Sequence, residues 1–128
     1  MNGSSHPRPE SGLELYAWMF MRFSGVLLLF LALGHLAVMH LINNVEVIDF
    51  QFVAQRYATP FWRTYDLLML WLALIHGLNG LRTLVVDYIS SNGWRVFSMA
   101  AIWVVGIVLL TLGSLAILTF QPAQFAMR

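Results

Sequence analysis

Three apolar stretches, each long enough to cross a bilayer, occupy most of this chain of 128 residues. The first contains an uncharged run of 20 residues from Phe23 to Ile42. At about 1.5 Å per residue, that run crosses a hydrocarbon core of about 30 Å. The second runs from Phe61 to Ile89, and the third, from Val96 to Phe120, has neither charge nor histidine. Hydrophobic residues make up 59% of the chain and charged residues 10%. A soluble domain carries about 25% charged residues, so this chain has too few to clothe a water-facing surface. The pattern predicts an all-α integral membrane protein with three transmembrane helices.

Breaks between the stretches set the expected boundaries. Residues 1–13 are polar, contain Pro7 and Pro9, and read as a flexible tail. They do not read as a signal peptide, because the following apolar run is too long and ends in no small-residue cleavage site. Helix one is expected over 14–42, stopped by Asn43-Asn44. Segment 43–60 mixes apolar and charged residues up to Pro60. It reads either as a loop or as a short interfacial helix with Val47, Ile48, Phe52 and Val53 toward lipid. Helix two is expected over 61–89, with Trp62 and Tyr65 at headgroup level. The turn Ser90-Ser91-Asn92-Gly93 makes helix three, 94–120, its antiparallel neighbour, and residues 121–128, with Pro122, form a second tail.

Charge and cysteine content exclude several functions. The basic residues are all arginine and scattered, and the formal net charge is +1, so nothing points to nucleic acid. Arg8, Arg22, Arg82 and Arg95 fall on the side of the N-terminus, against Arg56, Arg63 and Arg128. That small excess favours a cytoplasmic N-terminus. With no cysteine, the chain has no disulfide, no thiolate-bound iron–sulfur cluster and no cysteine nucleophile. A redox centre held here must use histidine, methionine or a bound cofactor.

Two histidines lie deep in the apolar stretches, His35 in the first and His76 in the second. A titratable ring in hydrocarbon is costly unless something holds it. Facing the inside of a bundle, it is a ready ligand for haem iron. At both positions a buried histidine bonded to a neighbour is the competing reading. Gly77 and Gly80 would let a flat macrocycle approach beside His76. Arg82 is long enough to reach a haem propionate, or to snorkel toward lipid phosphate. His40 sits about 140° around an α-helix from His35, so the two cannot face one haem. It lies near the far interface, where a hydrated histidine is an ordinary finding.

Residues eleven apart on a helix lie within about 20° of one face. His76 and Asp87 have that spacing, with Gly80 and Thr83 between them on the stripe, and so do Ser24 and His35. Each pair is separated by about 16 Å along its axis. Antiparallel packing is expected to end both stripes on one side of the membrane. There Arg22, Ser24 and Tyr88 are candidates to hydrogen-bond a quinone carbonyl, and Asp87 to deliver protons. Surface anchoring is the plainer alternative for Arg22, Asp87 and Tyr88. Gly106 and Gly113, seven apart, read as packing positions, and Met19, Met21, Met39 and Met69 as filler.

The run Leu74-Ile75-His76-Gly77-Leu78-Asn79-Gly80-Leu81-Arg82-Thr83-Leu84-Val85-Val86-Asp87-Tyr88 resembles the second helix of the SdhD-type membrane anchors of succinate dehydrogenase, respiratory complex II. Those helices have a His, a Gly four residues later, and Asp-Tyr eleven and twelve residues after the His. Met21-Arg22-Phe23-Ser24-Gly25 resembles the Arg-x-Ser-Gly element near the quinone end of such anchors. The third helix is similar only in hydropathy and length. The resemblance implies half of a heterodimeric anchor bundle in a bacterial cytoplasmic membrane. A second anchor subunit, an iron–sulfur subunit and a flavoprotein subunit would complete the complex. It implies no catalysis by the isolated chain. His76 would be an axial ligand of haem b, with Asp87 and Tyr88 at the quinone site. Single-haem relatives need no histidine in helix one, so His35 implies a second haem b, as in two-haem relatives that often use menaquinone. The same relatives imply a quinone site near that distal haem, with His40 a candidate contact, as the competing placement to Asp87 and Tyr88. The alternatives are the anchor of a quinol:fumarate reductase and a haem-free structural membrane anchor.

Overall fold

The computed structural model describes residues 12–121. The tail readings for 1–11 and 122–128, with His6, Arg8, Pro122 and Arg128, lie outside the described residues. Four α-helices run α1 (Gly12–Leu36), α2 (Phe50–Ala58), α3 (Pro60–Tyr88) and α4 (Asn92–Thr119), and no strand occurs among the described residues. Three segments are long and apolar enough to cross a membrane: Leu15–Ile42, Pro60–Tyr88 and Asn92–Thr119. Their mean hydropathies are 2.3, 1.4 and 2.5, so the middle span is the least apolar. It also packs against both flanking spans and against α2. A helix with protein on two sides can carry polar groups that lipid would not accept.

The helix ends follow from local chemistry. Helix α1 continues into a π-helical turn, Ala37–Ile42. Asn43 closes that turn twice, since its backbone N–H and its side-chain amide both donate to the Val38 carbonyl, at 3.2 and 2.7 Å. The i→i+5 bond from the Asn43 backbone is the π pattern itself. A short 3₁₀ turn, Val45–Val47, follows. The segment expected as either loop or interfacial helix then forms α2, whose N-terminus is capped by the Asp49 carboxylate accepting from the Phe52 N–H at 2.8 Å. Thr59 is extended and Pro60 opens α3 at its first position, where proline's missing N–H costs nothing. At the other end of α3, the Arg95 guanidinium donates two bonds to the Ile89 carbonyl, at 3.0 and 2.9 Å. That clamp turns the chain sharply into α4.

Side-chain contacts fix the antiparallel register. Between α1 and α3, Met21 approaches Gly80, Gly25 approaches His76, and Gly34 approaches Tyr65. Between α3 and α4, Trp71 donates to Ser114 at 3.0 Å, while Leu78 and Leu70 lie over Gly106 and Gly113. A β-carbon added at Gly106 would stand 2.4 Å from Leu78 Cδ1, and one at Gly113 would stand 2.7 Å from Leu70 Cδ2. The two glycines therefore set how closely the helices approach.

The distribution of polarity is inverted relative to a soluble protein. Ser24, Arg56 and Asp66 are buried, whereas Phe23, Phe30, Leu41, Trp94 and Trp103 face outward. Large apolar side chains exposed in this way belong against lipid or other membrane helices.

Candidate functional site

The polar interior forms two layers between α1 and α3. In the first, the Ser24 hydroxyl lies 2.8 Å from His76 Nδ1. Ser24 is only 3% exposed, so this contact is shielded from competing water. The Ser24 hydroxyl also points to the Met21 carbonyl at 3.5 Å. If its hydrogen goes to that carbonyl, its oxygen accepts from Nδ1–H of His76. The Nε2 lone pair is then the one left to bind a metal. Gly25 presses on the ring, since a β-carbon there would come 3.2 Å from His76 Cε1. Beside the ring, the space is open. A β-carbon at Gly77 would meet nothing within 4 Å, and one at Gly80 would meet only Met21 Cε at 3.9 Å. The surface of α3 next to His76 is thus bare of side chains at these two positions.

The second layer is built around His35. Its Nδ1 is buried and has no hydrogen-bond partner, the one such side-chain atom among the described residues. The facing acceptor is Asp66 Oδ1 at 3.6 Å, a few tenths of an ångström beyond a normal bond. Asp66 is itself gripped from α2: Arg56 Nη2 donates to Oδ1 at 2.9 Å and Arg56 Nε to Oδ2 at 3.3 Å. The Arg56 guanidinium also stacks 4.1 Å over the Trp62 ring, which makes the desolvated cation more tolerable. Tyr65 donates to the Leu31 carbonyl. That carbonyl lies one helical turn before His35, so Tyr65 steadies the segment that carries the histidine. Tyr57, on α2, has its hydroxyl pKa raised above the usual 10.0 by burial first, and then by the Asp66 charge and a hydrogen bond to it.

The two layers sit at different depths. Ser24 and His35 are eleven residues apart on α1, and Asp66 and His76 ten apart on α3, or about 15–16 Å along the axis. One metal ion cannot bridge that separation. Among the described residues no three His, Cys, Asp or Glu side chains gather as a metal site. The two histidines could therefore serve only separate centres, each with one histidine from this chain.

Several sequence-predicted residues fall elsewhere. Ser24 was expected at the level of Asp87, but the register puts it level with His76 and bonds it there. Asp87 and Tyr88 lie eleven and twelve residues further along α3 and are exposed. Arg22 is also exposed, with its guanidinium 4.5 Å over the Trp18 ring. Arg82 bonds Asn79 through Nε at 3.2 Å. Both line an apolar groove of about 460 Å³ between α1, α3 and α4, whose lining does not include His76. His40 is exposed within the π-helical turn. Its expected angle to His35 assumed continuous α-helix, whereas i→i+5 bonding brings residues five apart more nearly one above another. Trp62 and Tyr65, expected at headgroup level, lie in the first turns of α3 and contact Arg56 and the Leu31 carbonyl of the His35 layer. Asp66 and Arg56 were not among the sequence candidates. An acidic residue seven positions into an apolar helix is itself a signal, because an unpaired carboxylate there would be very costly.

Comparison with known proteins agrees with this architecture. The family model described as the succinate dehydrogenase/fumarate reductase transmembrane subunit matches residues 7–120. A relative from Archaeoglobus fulgidus, the succinate dehydrogenase hydrophobic membrane anchor subunit, is 30% identical over 78 residues. That alignment covers 61% of this chain and 66% of the relative, just under two thirds of its length. With the match running through all three spans, the chain belongs to the succinate dehydrogenase/fumarate reductase transmembrane-subunit family.

Proposed function

We propose that this chain is one of two membrane anchors of a succinate:quinone oxidoreductase, and that His76 and His35 each give one axial ligand to a separate haem b. The observation that carries the reading is the pair of half-buried histidines, each with Nδ1 beside an oxygen of a neighbouring helix, the Ser24 hydroxyl at 2.8 Å and the Asp66 carboxylate at 3.6 Å. Ligating histidines characteristically use their second nitrogen in this way, which fixes the ring and its tautomer. The residues fit such a group: α3 is bare of side chains at Gly77 and Gly80 next to His76, and His35 has its Nδ1 turned to the Asp66 carboxylate, which leaves Nε2 as its ligating atom.

Bound haem would supply reversible one-electron transfer between iron–sulfur clusters and quinone. The work of this chain's own residues is to place and insulate. Ser24 and Gly25 hold the His76 ring from two sides, and the apolar outer surface keeps water away. The partner anchor would provide the opposite ligands, while the iron–sulfur and flavoprotein subunits would dock outside the membrane. Asp87 and Tyr88 lie at one end of α3 and are exposed, which suits a quinone site completed by neighbouring subunits; Arg22, also exposed, lies deeper, near the level of Gly80. His40, exposed at the other end, suits a contact near the distal centre. The arginine distribution supports a cytoplasmic N-terminus, and the membrane proposed is a bacterial cytoplasmic one.

The test is succinate reduction of the purified complex, followed in the visible spectrum. Succinate should develop a b-type α band, and His76→Ala should remove part of it. A complex whose flavin is reduced by succinate but which shows no b band in any redox state would sink the reading.

A further inference from the structure

We infer that Asp66, gripped by Arg56 of the interfacial helix α2, is the positioning residue for His35. The inference rests on His35 being a haem ligand, and it adds a part that the sequence motifs do not contain.

A lone carboxylate at this depth would not stay ionised, but Asp66 is 9% exposed and paired with Arg56, itself 7% exposed. The pair is neutral as a unit, and the Trp62 face covers the cation. Arg56 engages one lone pair on each carboxylate oxygen. Oδ1 keeps another, and His35 Nδ1 stands opposite it at 3.6 Å. His35 Nδ1 has no other hydrogen-bond acceptor. A carboxylate oxygen opposite Nδ1 orients the ring, leaves Nε2 as the ligating atom, and makes the imidazole a more basic ligand. A more basic ligand favours ferric over ferrous iron and lowers the midpoint potential.

A purely structural role is the rival. Arg56 and Asp66 join α2 to α3 across the Pro60 break, so the pair could serve only as a clasp. A clasp changes assembly and stability but leaves the haem potential alone. The two roles therefore separate in a spectroscopic readout.

The experiment uses the intact purified complex, with haem counted per flavin and each b haem titrated potentiometrically and examined by low-temperature electron paramagnetic resonance. The variants are His35→Ala, Asp66→Asn, and the apolar pair Arg56→Met with Asp66→Leu, which removes both charges together and so leaves none unpaired. His35→Ala should lose one haem. Asp66→Asn should keep both, raise the midpoint potential of the His35-dependent haem, shift its g values and leave the other haem unmoved. The apolar pair should give the same upward shift, and it decides the matter where Asp66→Asn fails to assemble. A His35-dependent haem with wild-type potential and g values in these variants overturns the inference while His35 ligation stands. Unchanged haem content in His35→Ala removes the ligation reading, and the inference with it.

Discussion

Replacing Ser24 by alanine removes one oxygen from the first layer and changes almost nothing else. The hydroxyl is 3% exposed and lies 2.8 Å from His76 Nδ1, so no water is at hand to take its place. Leaving a buried donor without its acceptor costs about 1–3 kcal/mol. At about 1.4 kcal/mol per tenfold change, that is roughly 5-fold to 150-fold in the population of correctly oriented rings. Loss of an outer partner from a metal-bound histidine is expected to weaken the site about 10-fold to 100-fold, which overlaps this range. The assay is transfer of haem from the purified complex to an excess of apomyoglobin, followed by its Soret band. Ser24→Ala should release the His76-dependent haem at least about tenfold faster and raise its midpoint potential, while Ser24→Thr, which keeps the hydroxyl, should lie near wild type. Release at the wild-type rate with an unchanged potential would refute the assignment of Ser24 as the partner that orients His76.

Other consequences follow from packing and charge. Gly106→Ala puts a β-carbon 2.4 Å from Leu78 Cδ1 and should lower stability by about 1–3 kcal/mol in detergent unfolding. Gly93→Ala, in the first turn of α4 with nothing within 4 Å, is the control that should not destabilise. Arg63 donates to the carbonyls of Tyr57, Leu118 and Phe120, tying α2, α3 and the end of α4 together. Arg63→Ala should therefore speed proteolysis between residues 43 and 59, and an unaltered cleavage rate would count against that tie. The Tyr57 hydroxyl has a folded-state pKa above its unfolded value of 10.0. Its contribution to stability is thus fully present below pH 10.0 and is lost as pH rises toward the folded-state pKa. The tyrosinate band removed by Tyr57→Phe should appear at higher pH than that of free tyrosine, and the variant should lose less stability in alkali.

The three spans were legible because length and apolarity alone dictate them in a bilayer. His35 and His76 stood out for the same reason, as polar groups where lipid tolerates few. Register was not legible. Ser24 shares a helical stripe with His35, but which residue of α3 it meets depends on the length and shape of the 43–59 connection. The π-helical turn adds to this, since nothing short of the two hydrogen bonds from Asn43 to the Val38 carbonyl reveals it. The Arg56–Asp66 pair was hidden by its own chemistry. Its members lie ten residues apart on different helices, on either side of Pro60, and the aromatic residues beside them read as an interfacial belt. The presence of Asp66 well inside a span was the available signal, because a carboxylate at such a depth needs a cation within reach.

The claim that this chain carries two ligands at two depths is tested most directly by counting haem b per flavin in the purified complex by pyridine haemochrome. Wild type, His35→Ala, His76→Ala and the double variant would be measured side by side. The account predicts about two haems in wild type, one in each single variant and none in the double variant, following one ligand per centre. One haem in wild type, or a His35→Ala complex with its full complement, would contradict it.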